Sequence, residues 1–299
     1  MRSRLTAAVL LALAAVAAPA AAAERQIASG SVSYVSAAGG WVTWISYQGY
    51  GNDPLRTYLH AGRRTAVEDP YYQFLGTDSD RRGVGLIRRE GSSLYERLLP
   101  DGPEVTRRTG PDVALASYDV THGDYIWGLY GKGVFLQPAG STRLRRVSDV
   151  KPGGVTITGR VMTNLVTNAE GNDVLLAATR ARPRRWGVIA LADSSDGTDG
   201  WRTGTIRRIG NVTSDGPYVY WVEHTYQSGV SGTGVFRVLR VDLTREQPAV
   251  EAFTAPREIV ELAVTQGRIL YSGTAGRDLF EYRRAPFAPT GEALPMLDG

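Results

Sequence analysis

Cysteine is absent from the chain. No disulfide can staple the fold, so its stability has to come from a buried core. Lysine is nearly absent too: of 34 basic residues only Lys132 and Lys151 are lysines, and the positive charge is carried by arginine. The three histidines, His60, His122 and His224, stand far apart, without an HExxH or any pair at metal-ligand spacing, which removes the case for a zinc site. Neither a GxSxG elbow nor a phosphate-binding glycine loop occurs. Acidic pairs such as Asp78/Asp80 and Asp193/Asp196 supply oxygen ligands, but Asp-rich turns ordinarily hold no ion, so neither a cofactor nor a metal is expected. No run is long and apolar enough to span a bilayer, which takes about 20 residues; the apolar stretch at the N-terminus is too short and too rich in alanine.

That N-terminus carries Arg2 and Arg4, an apolar stretch from Leu5 to Ala18, and then Pro19 and the small residues Ala20 to Ala23. A charged segment, an apolar segment and an Ala-x-Ala site make a secretory signal peptide over 1–23, cut near Ala23. Residues 24–299 are then expected as one domain, secreted and without a transmembrane segment. A chain of about 275 residues buries roughly three quarters of its unfolded surface, enough for a core without crosslinks. Loss of Arg2 and Arg4 lowers the formal charge from +4 to +2. So small a charge gives no general reason to expect nucleic acid as a partner.

What is present is a repeat. An apolar residue, a few small or polar residues, a glycine and a strand-like run recur as VSAAGGWVTW, LGTDSDRRGVGLI, VTHGDYIWG, VTNAEGNDVLLA, VTSDGPYVYW and VTQGRILYS. They start at 35, 75, 120, 166, 212 and 264, spaced by 40, 45, 46, 46 and 52 residues. The central glycine suits a tight turn, since it accepts positive φ without steric cost. The Val, Ile, Tyr and Trp after it suit a pleated, half-buried strand. A third run follows in each copy, centred on Thr57, Leu94, Val134, Val188, Val235 and Leu279, and a polar fourth run closes most copies, as in TRLRRV and GTIRRI. One such sheet cannot bury both faces alone, whereas sheets packed around an axis can. The expected fold is all-β, a single β-propeller of four-stranded blades, with six blades favoured and five or seven left open by the degenerate copy at Leu75. GGVTITGRVMTNL from Gly153 adds residues ahead of the fourth copy, and either the segment near Ile27 or the tail near Leu294 could complete the last blade.

The Asp-Gly turn leading into an aromatic-rich strand, as in VTSDGPYVYW, resembles blades of the TolB-like and YWTD-like six-bladed propellers. The resemblance spans most of the mature chain and implies shared architecture. Its turn reads Thr213-Ser214-Asp215-Gly216 in place of Ser-Pro-Asp-Gly, and no Tyr-Trp-Thr-Asp tetrad is present.

Function in such a fold is expected on loops, here those joining second to third strands. Three are long and carry Tyr47, Gln48, Tyr50, Asn52 and Asp53; Arg180, Arg182, Arg184, Arg185 and Trp186; and Glu223, His224, Tyr226 and Gln227. Aromatic rings stack on apolar sugar faces while guanidinium forks grip carboxylate or phosphate, so Tyr47, Tyr50, Arg182, Arg184, Arg185, Trp186, His224 and Tyr226 are the candidate binding residues. Solvated hairpin tips with Arg stems lying on the rim would look the same. Arg doublets at 63/64, 107/108, 145/146 and 207/208 fall in or near candidate fourth strands. There they either block edge-to-edge association or face a polyanion. The functional expectation is an exported, non-enzymatic binding or scaffold protein for a protein partner or an envelope or extracellular polysaccharide. The alternatives are a hydrolase or lyase acting on a sugar or lactone at the channel mouth, and a structural part of a secreted assembly.

Overall fold

The computed structural model describes residues 24–46, 55–68, 74–80, 83–90, 93–98, 104–108, 115–121, 123–192, 205–227, 234–244, 249–273, 278–282 and 288–289. Every regular element among them is a β-strand. The first, β1 (Glu24–Ala28), is separated in sequence from the sheet it joins. Next come β2 (Val32–Ala38), β3 (Trp41–Ser46), β4 (Leu55–His60) and β5 (Arg63–Glu68), which form the first sheet in that order. The second sheet is β6 (Phe74–Asp80), β7 (Gly83–Glu90), β8 (Ser93–Leu98) and β9 (Glu104–Arg108). In the third, β10 (Leu115–Thr121), β11 (Asp124–Leu129), β12 (Gly133–Gln137) and β13 (Arg145–Ser148) follow one another; in the fourth, β14 (Gly154–Thr158), β15 (Val161–Thr167), β16 (Asp173–Thr179) and β17 (Arg182–Ala192). The fifth runs β18 (Thr205–Asp215), β19 (Tyr218–Gln227), β20 (Gly234–Asp242) and β21 (Val250–Ala255). The sixth has β22 (Glu261–Thr265), β23 (Arg268–Ser272) and β24 (Leu279–Tyr282), with β1 as its fourth strand. All pairings are antiparallel, and the first strands of successive sheets meet in cyclic order, with β22 returning to β2. The fold is a β-propeller with its first strands innermost.

The core lies between neighbouring sheets. Side chains alternate across a strand with period two, and here both faces are used. In β15, Val161 belongs to a cluster shared with the fifth sheet and Met162 to one shared with the third. In β19, Val219 and Trp221 pack toward the fourth sheet while Tyr220 and Val222 pack toward the sixth. Burial on both faces explains why second strands such as β3 (WVTWIS) and β11 (DYIWGL) are mostly apolar.

Polar side chains tie one sheet to the inner hairpin of the next, three from first strands and Asp173 from the third strand β16. Ser117 Oγ accepts from Val155 N at 3.0 Å, Asp173 Oδ2 from Ile209 N at 3.0 Å, Asp215 Oδ2 from Gly267 N at 2.9 Å and Thr265 Oγ1 from Gly40 N at 2.7 Å. Asp215 and Thr265 occupy equivalent places, at the ends of their first strands. The Asp or Thr of the repeat thus satisfies a turn amide of the following sheet, a donor that burial would otherwise leave unpaired.

One sequence expectation is corrected and one open alternative is decided. In the fourth copy the repeat is displaced by one strand: the turn after Thr167 joins β15 to β16, and the true first hairpin is VTITGRVMTNL, turning at Gly159 (φ +56°). Asn168 Oδ1 accepts from the amides of Glu170 and Asn172, so this second-to-third connection imitates a tight turn. As a consequence Val188 lies in the fourth strand β17 rather than in a third strand, and GTIRRI from Gly204 leads into β18, a first strand. As for the terminus that completes the sixth sheet, it is the N-terminal segment: Glu24 faces Tyr282, Gln26 faces Phe280 and Ala28 faces Leu279. Ala288–Pro289 forms β25, which instead extends the fifth sheet beyond β21; Leu294 lies outside the described residues.

Candidate functional site

Strand direction divides the ring into two ends. Turns between first and second and between third and fourth strands lie at one, the turn end. Second-to-third loops and sheet-to-sheet connections lie at the other, the loop end.

Arg182, Arg184, Arg185 and Trp186 were expected on a second-to-third loop, but they lie in the fourth strand β17, just past the turn after Thr179. They are therefore at the turn end. The indole Nε1 of Trp186 donates to Val147 O in β13 of the adjacent sheet and to Pro183 O, both at 3.0 Å. Its ring packs on the cluster of Ile126, Leu136, Val147 and Met162. Arg180 reaches the same neighbouring sheet, pairing with Asp124 while donating to Gly159 O at 2.9 Å.

His224 and Tyr226 lie on β19 rather than in a loop, toward the loop end, and the structure does bring them together. The His224 imidazole stacks on Phe236 at 3.9 Å between centroids and lies 4.7 Å from Tyr226. Its ring covers Gly234, where an added Cβ would overlap it. Burial lowers the His224 pKa from its ordinary 6.5, partly opposed by the charge of Glu258. Neighbouring Glu223 is buried between two guanidinium groups, accepting from Arg207 at 2.6 Å and Arg237 at 2.5 Å. Of the other histidines, His60 stacks on Trp41 at 4.1 Å, and His122 lies outside the described residues. So do Tyr47, Gln48, Tyr50, Asn52 and Asp53, in the segment joining β3 to β4. The doublet Arg207/Arg208 belongs to the first strand β18; the other three doublets are on fourth strands, as expected.

The loop end has a further feature. Of seven large apolar side chains exposed among the described residues, Tyr34, Tyr130, Val150, Leu191, Val235 and Val260 lie at or next to it; Val188 is mid-strand. Tyr130 is 58% exposed in the turn after β11 and Leu191 is 51% exposed near the end of β17. Tyr34, 45% exposed, occupies a bulge in the innermost strand β2 with φ +53°, where the Glu261 carboxylate receives Tyr34 N at 2.8 Å and Val35 N at 3.1 Å. A left-handed conformation at a bulky residue is uncommon and persists only where the surroundings impose it. Sequence reasoning missed these residues because both faces of these sheets are buried. An exposed Val or Leu in an apolar run then looks like its buried neighbours; only position at a strand end could have flagged Tyr130 and Val150.

No protein-family model matches the chain, and none of the curated proteins searched matches it in sequence. Among solved structures, the β-propeller domain of Myceliophteria thermophila Cps50 (Swd1) superposes with TM-score 0.50 at 9% identity, covering 87% of this chain and 99% of that one. An acylaminoacyl peptidase from Pyrococcus horikoshii reaches TM-score 0.49 at 8% identity, over 87% of this chain and 52% of that chain. The β-propeller domain of the Trilobed protease from Pyrococcus furiosus reaches 0.47 at 10% identity, over 92% and 97%. The likeness is one of architecture, the coarser half of the resemblance read from VTSDGPYVYW.

Proposed function

We propose that this chain is an exported, non-enzymatic binding protein that holds a protein partner against the loop end of its propeller. The observation that carries the reading is the gathering of exposed apolar side chains at that end, with Tyr130, Leu191 and Val235 drawn from three different sheets. Scattered exposed apolar residues need no explanation, but a bias toward one end of a ring does. Aromatic and apolar anchors inside a polar rim suit a protein surface better than a sugar chain. His224 and Tyr226 add a polar aromatic pair at the same end, and Tyr47 and Tyr50 belong to a segment that joins second to third strands. Two carboxylates in this part of the ring are already committed, buried Glu223 to two arginines and half-buried Glu261 to the β2 bulge, which favours binding over acid–base chemistry. Export rests on Arg2, Arg4 and the apolar stretch from Leu5 to Ala18, and predicts a mature protein beginning near Glu24. Kinship with TolB-like propellers is part of the same reading and rests on the Asp-Gly turn.

A photo-crosslinking residue placed at Tyr130 or Val235 is expected to give a protein adduct of defined mass in the native culture, whereas the same residue at Arg182 gives none. The adduct should disappear with Leu191→Ser in the same background. A glycan adduct, an adduct only from Arg182, or no adduct from either end would overturn the reading.

A further inference from the structure

Two cavities, of about 430 and 520 Å³, lie along the seam where β1, the fourth strand of the sixth sheet, meets the first sheet. Ile27 and Arg64 line both. Arg64 crosses the seam there, its Nη2 donating to Ile27 O at 2.5 Å and its guanidinium lying 5.3 Å from the centre of the Trp44 ring. The smaller cavity opens toward the turn end and is walled by Arg25 of β1, Leu59, Gly62 and Arg64 of the first sheet, and Arg268 and Glu281 of the sixth.

Its charge is unbalanced. Three guanidinium groups face one carboxylate, and that carboxylate is buried and held by Arg268 Nε at 2.7 Å. Arg25 and Arg64 are exposed, and neither pairs with a carboxylate among the described residues. At two other seams an arginine has a carboxylate from the neighbouring sheet: Arg180 has Asp124, and Arg208 has Asp173 at 3.5 Å. Where the ring closes, no such counter-charge pairs with Arg25 or Arg64 among the described residues, and a cavity lies beside them. Clefts lined by one sign of charge concentrate the opposite ion, and guanidinium forks match the oxygens of carboxylate and phosphate.

We propose that this cavity binds a small, multiply charged oxyanion, carrying phosphate or carboxylate groups, that bridges Arg25, Arg64 and Arg268. These three side chains come from the N-terminal strand, the first sheet and the sixth sheet. The bound anion therefore fastens the ring at its seam and stabilises the native state by mass action. One member of the Arg63/Arg64 doublet acquires a specific role, independent of the partner surface at the opposite end.

The test is calorimetric titration of the mature protein with inorganic pyrophosphate and, separately, with citrate, at 0.15 M salt. One-to-one saturation by at least one probe below about 1 mM is expected, with a matching rise in melting temperature; the tighter probe identifies the oxyanion chemistry. Arg25→Glu is expected to weaken binding at least tenfold. Arg145→Glu, at an exposed position of β13, changes the net charge equally and should leave binding within twofold. Both variants should keep the wild-type circular dichroism spectrum, because neither side chain is buried. Failure of both probes to saturate, or equal effects of the two variants, would overturn the proposal.

Discussion

His224 shows how one side chain couples packing to pH. Its imidazole lies against Phe236 and over Gly234, and loss of hydration there disfavours the charged ring, so its pKa falls below 6.5 despite the opposing charge of Glu258. The unfolded chain takes up this proton near pH 6.5, the folded chain only at lower pH. Between those values the unfolded state holds more protons, so stability falls as pH drops below about 6.5 and levels off under the folded pKa. Melting temperature measured between pH 8 and 5 should decline on the acid side. His224→Phe, which keeps a ring on Phe236, should flatten that part of the profile; an unchanged slope would remove His224 as its source. The pair His224 and Tyr226 was legible as residues of interest because aromatic and titratable side chains stand together. Phe236, on which His224 stacks, was not, since it comes from a neighbouring strand.

At the scale of elements, β17 is the instructive case. Read as a loop, the run Arg182 to Trp186 looked like an aromatic and cationic ligand platform; as a strand it stitches the fourth sheet to the third. Register shifts against β16 between Leu175 and Leu176 and between Ala177 and Thr179 bend this long strand, and the indole spans to Val147 in β13. Trp186→Ala removes partly buried ring area and one interstrand hydrogen bond, and is expected to cost about 2–3 kcal/mol. Trp186→Phe retains most of the area and should cost about 1 kcal/mol. Urea midpoints at constant slope would measure both, and an Ala variant as stable as wild type would contradict the stitching role. The sequence misled here for a definable reason: the pattern of apolar residue, polar turn and apolar strand is common to every antiparallel hairpin. A loop whose Asn168 side chain imitates a tight turn therefore reads like the innermost hairpin one strand earlier.

The whole molecule depends on β1. Its pairing with β24 joins residues that lie at opposite ends of the described chain, and Ile27 packs on the buried cluster of Val32, Trp44, Leu270 and Leu279. A variant beginning at Gly30 loses that strand's ladder, the acceptor of Arg64 and one side of the seam cavities. Its cost, from a few hydrogen bonds and one large apolar side chain, is about 5 kcal/mol. That is comparable to the entire stability of many domains. Loss of cooperative unfolding, partly restored by adding the peptide ERQIASG in trans, is the expected outcome. A truncated protein that melts like the full mature chain would show that the ring closes by other means. Strand content, four-strand grouping and the period of the repeat were determined by the sequence itself, because alternation and turn glycines act over a few residues. Only the tertiary structure decided which terminus completes the sixth sheet, which hairpin of the fourth is innermost, and that Trp186 and His224 belong to opposite ends of the ring. Each of those depends on pairing between distant segments, where competing registers have nearly the same local pattern and the packed ring selects among them.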